Sequence, residues 1–517
     1  MSKTRIDLLK ELKQNNHYPD ILDCMAQLSP NEVPTPPRIV KEMLNLLPQN
    51  IFSDPNIKFL DPCTKSAVFL REIAVRLNMG LKSKIPNEQE RIKHILTKQL
   101  YGLAITELTA LISRRTLYCS KEANSKYSIC KFKDKNGNIE FNRIEHKWKN
   151  GNCELCGASQ AQWDRGAELE THAYSFIHTN EKENYKLFER LKNMKFDVII
   201  GNPPYQISDG GNSASAKPLY HLFVEQAKKL NPRYITMIIP SRWFSGGKGL
   251  DDFRNNMLTD HHIKHIVDFP NAEDCFPGVE IAGGVNYFLW DSTYDNLCKI
   301  TTIMNGKIQS TSQRFLDEYD TFIRWSQGVS IVKKVISKKE ISLDTIASSR
   351  KPFGLATNFA DFDYEPSNKK YKIFSSNQVG VRKVGFTLKE NITKGIELIN
   401  KWKVLMPKAY RLGSSTDGGY IHPIIADPGS VCTETFIVLF SCDNERDALN
   451  FVKYIKTRFF RFLVYLKKVT QDATAKVYSF VPVQDFTQEW TDKKLYKKYN
   501  LSQEEIDFIE SMIKPME

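Results

Sequence analysis

The tetrapeptide Asn202-Pro203-Pro204-Tyr205 is the part of this 517-residue chain whose residue types point most directly to chemistry. Two successive prolines fix φ and carry no amide N–H, so the turn is stiff. Their carbonyls and the Asn202 side chain can converge on one small site. That arrangement suits an amino group on a planar ring. The Asn202 side-chain oxygen and the Pro203 carbonyl accept its two hydrogens, which turns the nitrogen lone pair toward an electrophile. Tyr205 offers a flat face on which the ring stacks. Elsewhere Asn-Pro-Pro-Tyr is an ordinary turn. Here it follows an apolar strand pattern, Phe196 to Ile200, set off by Gly201.

A second group lies upstream. Cys153-Glu154-Leu155-Cys156-Gly157 has the spacing of a zinc-ribbon knuckle, with glycine just after the second cysteine. In a cytosolic chain that spacing favours tetrahedral zinc. Cys119, Cys130 and His146 share the same polar stretch. The expected ligand set is Cys119, His146, Cys153 and Cys156. Cys130 is the alternative ligand, though it sits in an apolar run and reads equally well as buried. Four protein ligands leave no open position, so the zinc is expected to be structural. The remaining cysteines (Cys24, Cys63, Cys275, Cys298, Cys432, Cys442) lack paired spacing and read as core or incidental.

The elements that must hold these groups are legible as a pattern. Thr35 reads as an N-cap and Pro36 as the first residue of a helix with Ile39, Val40, Met43, Leu44 and Leu47 on its apolar face. Strands are expected at Ile57–Leu60, Leu100–Leu103, Phe196–Ile200, Tyr234–Ile239 and Ile263–Phe269. Helices are expected at Ala67–Leu77, Glu107–Tyr118 and Pro218–Leu230. Gly284–Trp290 and Lys299–Met304 are expected to form a closing strand pair. This alternation predicts an α/β class: a doubly wound, mostly parallel Rossmann-like sheet, with ligands beyond the carboxyl ends of its strands.

Residues 1–32 read as two short helices. Residues 33–310 form the domain that carries the chemistry, interrupted by a polar, zinc-ribbon-like insertion at 119–180. Residues 311–517 read as a mixed α+β domain with loops rich in Gly, Ser, Lys and Arg. The composition, 41% hydrophobic and 11% aromatic, excludes general disorder. No apolar run is long enough for a transmembrane helix, and the N-terminus lacks the apolar core of a signal peptide. A cytoplasmic protein is therefore expected. The net charge of +13 points to a polyanionic partner.

Taken together, these motifs resemble the S-adenosylmethionine-dependent adenine-N6 DNA methyltransferases of restriction–modification systems. The order is that family's gamma arrangement: a Thr-Pro helix, then the loop Asp61-Pro62-Cys63-Thr64-Lys65-Ser66-Ala67-Val68-Phe69-Leu70, then Asn-Pro-Pro-Tyr, then a variable region. Arg114 to Ser120, Phe276 to Val279 and Tyr478 to Pro482 are similar to the same enzymes. The resemblance implies catalytic roles for Asn202, Pro203, Pro204 and Tyr205. It implies cofactor contacts from Thr35, Pro36, Asp61, Pro62, Cys63, Lys65, Ser66, Phe69, Glu107 and Asn202. Two departures stand out. The family has glycines where Lys65 and Ala67 stand. The acid that usually holds the cofactor ribose is replaced by Ala104, and the nearest acid, Glu107, serves equally well as a first-turn residue favoured by the helix dipole.

For such an enzyme the C-terminal domain would recognise double-stranded DNA. Three loops are the candidates, through Arg350, Lys351, Ser414, Ser415, Lys467, Lys468 and Gln471. Basic side chains would meet phosphates there, and Gln471 could read base edges. The basic, aromatic run Lys453 to Phe462 reads mainly as an amphipathic helix. A cognate restriction endonuclease is a possible partner. The rival readings are a non-catalytic DNA-binding restriction component, a protein glutamine-N5 methyltransferase and a cytosine-N4 enzyme. A glutamine methyltransferase needs no large basic C-terminal domain, and cytosine-N4 enzymes commonly carry Ser in place of Asn202. Fewer than 35 residues precede the Thr-Pro helix, so no N-terminal nuclease domain is expected.

Overall fold

A computed structural model describes residues 33–163, 173–178, 182–206, 217–244, 246–247, 249–365, 371–376, 382–409, 422–468 and 473–516. The two helices expected within residues 1–32 lie outside these. The chain divides into two compact units, Met1–Phe322 and Ile323–Glu517.

The first unit is built on a nine-stranded sheet. In chain order its strands are β1 (Phe59–Thr64), β2 (Leu100–Ala104), β3 (Ile139–Glu140), the separate hairpin β4 (Trp148–Lys149) and β5 (Asn152–Cys153), β6 (Val198–Gly201), β7 (Tyr234–Pro240), β8 (Ile263–Phe269), β9 (Val285–Asp291), β10 (Cys298–Met304) and β11 (Lys307–Arg314). The main sheet runs β11-β10-β8-β9-β7-β6-β1-β2-β3. Strands β1, β6 and β7 are buried along their whole length, and β6 and β7 accordingly read as near-continuous apolar runs. Their pairings with one another and with β2 are parallel.

Helices cover both faces. On one lie α1 (Pro37–Leu46), α2 (Val68–Gly80), α3 (Glu88–His94) and α4 (Glu107–Tyr118). Ile39, Val40, Met43, Ile73, Leu77 and Leu117 pack there. On the other lie α5 (Lys182–Met194), α6 (Tyr220–Lys229) and α7 (Asp251–Leu258), burying Leu187, Leu191, Phe223, Ala227, Phe253 and Met257. Chain order runs outward from β1 to β3, then returns to β1's other side with β6. The strand order therefore reverses between β1 and β6. In an open α/β sheet, the crevice beyond the carboxyl ends at such a reversal is where ligands bind.

Three expectations need correction here. Strand β9 does not close the sheet with β10. It inserts between β7 and β8, antiparallel to both, while β10 runs parallel to β8 and pairs with β11. The stretch 119–180 is not wholly an insertion either. Ile139–Glu140 adds an edge strand to β2, anchored by Asn138, whose amide donates to Leu96 and Leu100 carbonyls. Finally, α1 begins one residue later than the pattern predicts: Pro36 is its cap, with no side-chain hydrogen bond, and Pro37 opens it.

The second unit is α+β. It holds two three-stranded sheets. One is β13-β12-β16, from β12 (Tyr371–Ser376), β13 (Arg382–Thr387) and β16 (Ser430–Cys432). The other is β15-β14-β17, from β14 (Trp402–Pro407), β15 (Ile424–Ala426) and β17 (Phe436–Cys442). Its helices include α8 (Ser326–Ser337), α9 (Glu445–Lys456), α10 (Arg458–Lys467), α11 (Asp492–Lys498) and α12 (Gln503–Met512). The run Lys453 to Phe462 is two helices broken at Thr457, which caps the second. Tyr454, Ile455, Phe459, Phe460 and Phe462 are buried while Lys453 and Lys456 are exposed, as an amphipathic pattern requires.

Helix α12 starts with the capping box the sequence predicts. Ser502 accepts from the Glu505 amide, and the Glu505 carboxylate accepts from the Ser502 amide at 2.8 Å. The same carboxylate holds α8, accepting from Ser330 Oγ and Lys334 Nζ, each at 2.6 Å. Removing it breaks contacts to Ser330, Lys334 and the Ser502 amide at once, although Ser330 and Ser502 are exposed and Lys334 is only partly buried. Glu505→Ala is expected to cost about 1.5–3 kcal/mol in urea unfolding, against about 1 kcal/mol for Ser502→Ala. Equal losses for the two variants would show that the α8 contacts contribute nothing.

Candidate active site

The crevice between β1 and β6 holds a small cavity lined by Pro34, Thr35, Asp61, Cys63, Lys65, Ser66, Ala67, Val68, Phe69 and Asn202. It is assembled from the turn before α1, the loop between β1 and α2, and the residue after β6. The two strand ends approach closely because β6 finishes in glycine: a Cβ on Gly201 would lie 2.9 Å from Cys63 Sγ and 3.0 Å from Asp61 Oδ1.

Asn202 is 4% exposed, and the orientation of its amide is fixed by its partners. Its Nδ2 donates to the Val33 carbonyl at 2.8 Å and to Thr35 Oγ1 at 3.0 Å. A backbone carbonyl is purely an acceptor, so the nitrogen must face it. Oδ1 then points the other way, buried and without a hydrogen bond. Thr35 thus spends its hydroxyl on Asn202 rather than on capping α1. Tyr205 is nearly buried, and its hydroxyl is also without a partner. Burial pushes its ionisation well above the usual tyrosine range. It remains a neutral ring.

The β1–α2 loop brings opposite charges to one cavity. Asp61 is 3% exposed; burial pushes its carboxyl up to about 7, although the Cys63 amide donates to it at 3.1 Å. Lys65 extends its ammonium to within 3.4 Å of the Val33 carbonyl. Ala67 adopts φ 57°, ψ 27°, the left-handed region that glycine enters freely. The backbone thus keeps the conformation a glycine would favour, with a methyl in its place. Phe69 and Ser66 line the same cavity; Pro62 lines a second one.

That second cavity lies beyond β1, β2 and β3. Its walls are Pro62, Ala104, Ile105, Phe141, Asn142, Ala173, Tyr174, Ser175, Phe176 and Phe223. Phe176 stacks on Phe223 at 5.8 Å between centroids, and Tyr174 meets Phe223 edge-on at 5.9 Å. Asn142 Nδ2 is buried there without a hydrogen bond. Glu107 is not part of either lining. It is exposed in the first turn of α4, which Thr106 and Thr109 close with a reciprocal capping box. The dipole alternative explains its position. Phe141 and Asn142 were missed in sequence because they follow a two-residue strand and include no acid.

The cysteine group is gathered differently from the expected set. His146, Cys153, Cys156 and His178 are all buried, and one ligand atom from each lies within 4.8 Å of all the others. Cys119 is exposed at the C-cap of α4, in left-handed conformation, and is not in this group. Cys130 is buried in the core of the opposite sheet face beside Tyr118. The knuckle is as its spacing implies: the Gly157 amide donates to the Cys153 carbonyl at 2.9 Å, and Gly157 has φ 71°. A hydrogen bond from Cys156 holds the Cys153 thiol well below the usual range, against burial.

In the second unit, Arg350 and Lys351 both reach the carboxylate of Glu434, Lys351 at 3.5 Å, and Lys408 joins them at 3.3 Å. Three cations around one carboxylate leave an excess of positive charge. Lys467 lies over the Phe480 ring at 4.9 Å. Lys468 is 2% exposed, so from this position it does not reach a phosphate, a correction caused by its place at the buried end of α10. Ser414, Ser415 and Gln471 lie outside the described residues.

Residues 98–276 match the family model described as Eco57I restriction-modification methylase. A Mycoplasma pneumoniae protein described as an uncharacterized adenine-specific methylase is 37% identical over 331 residues, spanning 60% of this chain and 78% of that protein. The chain belongs to this methylase family. Solved structures with a similar course include a DNA complex of DrdV (11% identity, TM-score 0.46, 93% of this chain) and the type IIG restriction endonuclease BpuSI (12% identity, TM-score 0.40, 98% of this chain). This methylase spans 57% of the DrdV chain and 68% of the BpuSI chain. Among its described residues, no helix is long and apolar enough to cross a membrane.

The buried Asp61 makes two outcomes measurable. With a folded pKa near 7 and an unfolded value near 3.8, the folded state holds a proton that the unfolded state releases between these limits. Stability is therefore lost as pH rises through that window. Asp61→Asn is expected to raise the melting temperature at pH 8, with the gain shrinking as pH falls from 7 toward 4. A gain that is the same at pH 4.5 and pH 8 would exclude Asp61 as its source.

Proposed function

We propose that this methylase binds S-adenosylmethionine across the two cavities and transfers its methyl group to the N6 amino group of adenine in double-stranded DNA. The orientation of Asn202 carries the reading. Its nitrogen is committed to Val33 and Thr35, so its oxygen is left as a buried acceptor at the carboxyl end of β6. An exocyclic amino group has the N–H that this oxygen lacks. With the Pro203 carbonyl accepting the second hydrogen, the nitrogen lone pair is held out of the ring plane.

The residues present fit the cofactor. Asp61 and Lys65 match the ammonium and carboxylate of its amino-acid end. The aromatic second cavity, with Asn142 Nδ2 as an unused donor, matches its adenine ring. When bound, the cofactor supplies a methyl group activated by a sulfonium. Transfer would replace the sulfonium C–S bond with an N–C bond to adenine, the electron pair staying on sulfur and the nitrogen's proton passing to solvent. No residue need form a covalent intermediate. Asn202, Pro203 and Tyr205 position and polarise. The target adenine must leave the base stack to reach them, and Tyr205 would stack on it. Arg350, Lys351 and Lys467 are proposed to meet DNA phosphates. The biological role would be protection of host DNA, paired with a cognate endonuclease. Zinc is its second proposed bound group, structural rather than catalytic.

Two tests follow. Expression in a host free of DNA methylation, with modified bases mapped by single-molecule sequencing, should reveal N6-methyladenine in one short motif. Asn202→Ala and Tyr205→Ala should abolish it while retaining DNA binding. Methylated cytosine, or normal turnover by either variant, contradicts the assignment. Separately, calorimetric affinity for S-adenosylmethionine should rise severalfold between pH 6 and pH 8, because Asp61 must be ionised to meet the cofactor's ammonium. A flat profile would remove Asp61 from the cofactor site.

A further inference from the structure

The four side chains His146, Cys153, Cys156 and His178 come from three separate pieces of the insertion. His146 precedes β4, the two cysteines form the knuckle after the β4–β5 turn, and His178 ends the short segment 173–178. Tetrahedral zinc with Zn–S near 2.3 Å and Zn–N near 2.05 Å requires ligand atoms roughly 3.3–3.8 Å apart. Cys156 Sγ lies 3.4 Å from His146 Nδ1, and Cys153 Sγ lies 3.6 Å from His178 Nε2. His178 Nδ1 is 2.8 Å from the Tyr174 carbonyl. That carbonyl only accepts, so Nδ1 carries the proton and Nε2 is left with its lone pair facing Cys153. A histidine whose other nitrogen is tied to a carbonyl is the usual arrangement at a metal.

The position of His178 gives the site a consequence. The segment it ends supplies Ala173, Tyr174, Ser175 and Phe176 to the wall of the second cavity. Along its length the segment is held by the Ala173 amide on the Ile144 carbonyl at 2.7 Å and by Phe176 on Phe223. Ile144 itself lies between Asn142, another wall residue, and His146. Both ligand histidines thus sit within four residues of residues lining the cavity. Fixing His146 and His178 to one ion fixes two separate stretches of chain that line the cavity.

We propose that His146, Cys153, Cys156 and His178 bind one zinc ion, and that this ion is a clasp that shapes the second cavity for its ligand. The clasp rests on the reading of that cavity as the cofactor's adenine site; the ligand set does not. His178 is a positioning residue: it touches the ion, not the cofactor.

Metal content and cofactor affinity, measured on the same full-length preparations, separate the two parts. Wild type and Cys119→Ser should each carry one zinc per chain by mass spectrometry of the metal. Cys153→Ser and His178→Ala should lose it, and His178→Cys, which restores a fourth ligand, should recover it. Loss of zinc from Cys119→Ser with retention in His178→Ala would overturn the ligand set. For the clasp, S-adenosylmethionine binding by calorimetry should weaken at least tenfold in His178→Ala and recover in His178→Cys. Hydrogen exchange should quicken across residues 173–178 but not across β6 and β7. Unchanged affinity and exchange in metal-free protein would refute the clasp. Failure of zinc-loaded wild type to bind S-adenosylmethionine at all would instead count against the proposed function, leaving the metal stoichiometry to judge the site.

Discussion

The site depends on one shared nitrogen. Asn202 Nδ2 donates to Val33 O and Thr35 Oγ1, and by doing so joins the turn before α1 to the end of β6. The two segments are 169 and 167 residues apart in sequence, so this contact closes the crevice across the point where the strand order reverses. It also sets chemistry. An amide that spends both hydrogens on the protein has only its oxygen left, and that oxygen is buried where it cannot be satisfied by water at low cost. A buried acceptor without a donor is tolerated where a ligand completes it. The prolines that follow cannot supply the donor, because neither has an N–H.

Around this contact the cavity is tuned by exclusion of water rather than by an excess of charge. Burial holds Asp61 near neutrality until an ammonium arrives, and keeps Tyr205 an uncharged stacking surface. The close approach of β1 and β6 at Gly201 makes that burial possible. The insertion then contributes the far wall, through a short segment tied down by a strand-like bridge, aromatic packing and the histidine–cysteine group.

Much of this was legible in the chain. Apolar runs alternating with helical periodicity gave the parallel sheet, and Asn-Pro-Pro-Tyr after one such run pointed to the crevice proposed as the active site. Strand β9 was misassigned because periodicity reports burial, not partners: its two neighbours in the sheet are decided by packing. Thr35 was read as a cap because a threonine before a helix serves equally well as cap or as ligand to a distant amide; only the fold chooses between them. His178 was missed for a similar reason. Nothing at fixed spacing marks it, whereas Cys119 shared its residue type with the knuckle and drew the assignment, although it ends at an exposed helix terminus. Lys468 carried the right charge but is buried just past the C-terminal end of α10.

The claim on which the account turns is that Thr35 orients Asn202 for catalysis. It is tested most directly by single-turnover methyl transfer with cofactor and DNA saturating, comparing Thr35→Ser and Thr35→Val. Serine keeps the hydroxyl, and its rate should stay close to that of wild type. Valine keeps the shape but removes the acceptor, and its rate should fall by roughly 10–100-fold with the fold intact. A wild-type rate in Thr35→Val would contradict the account.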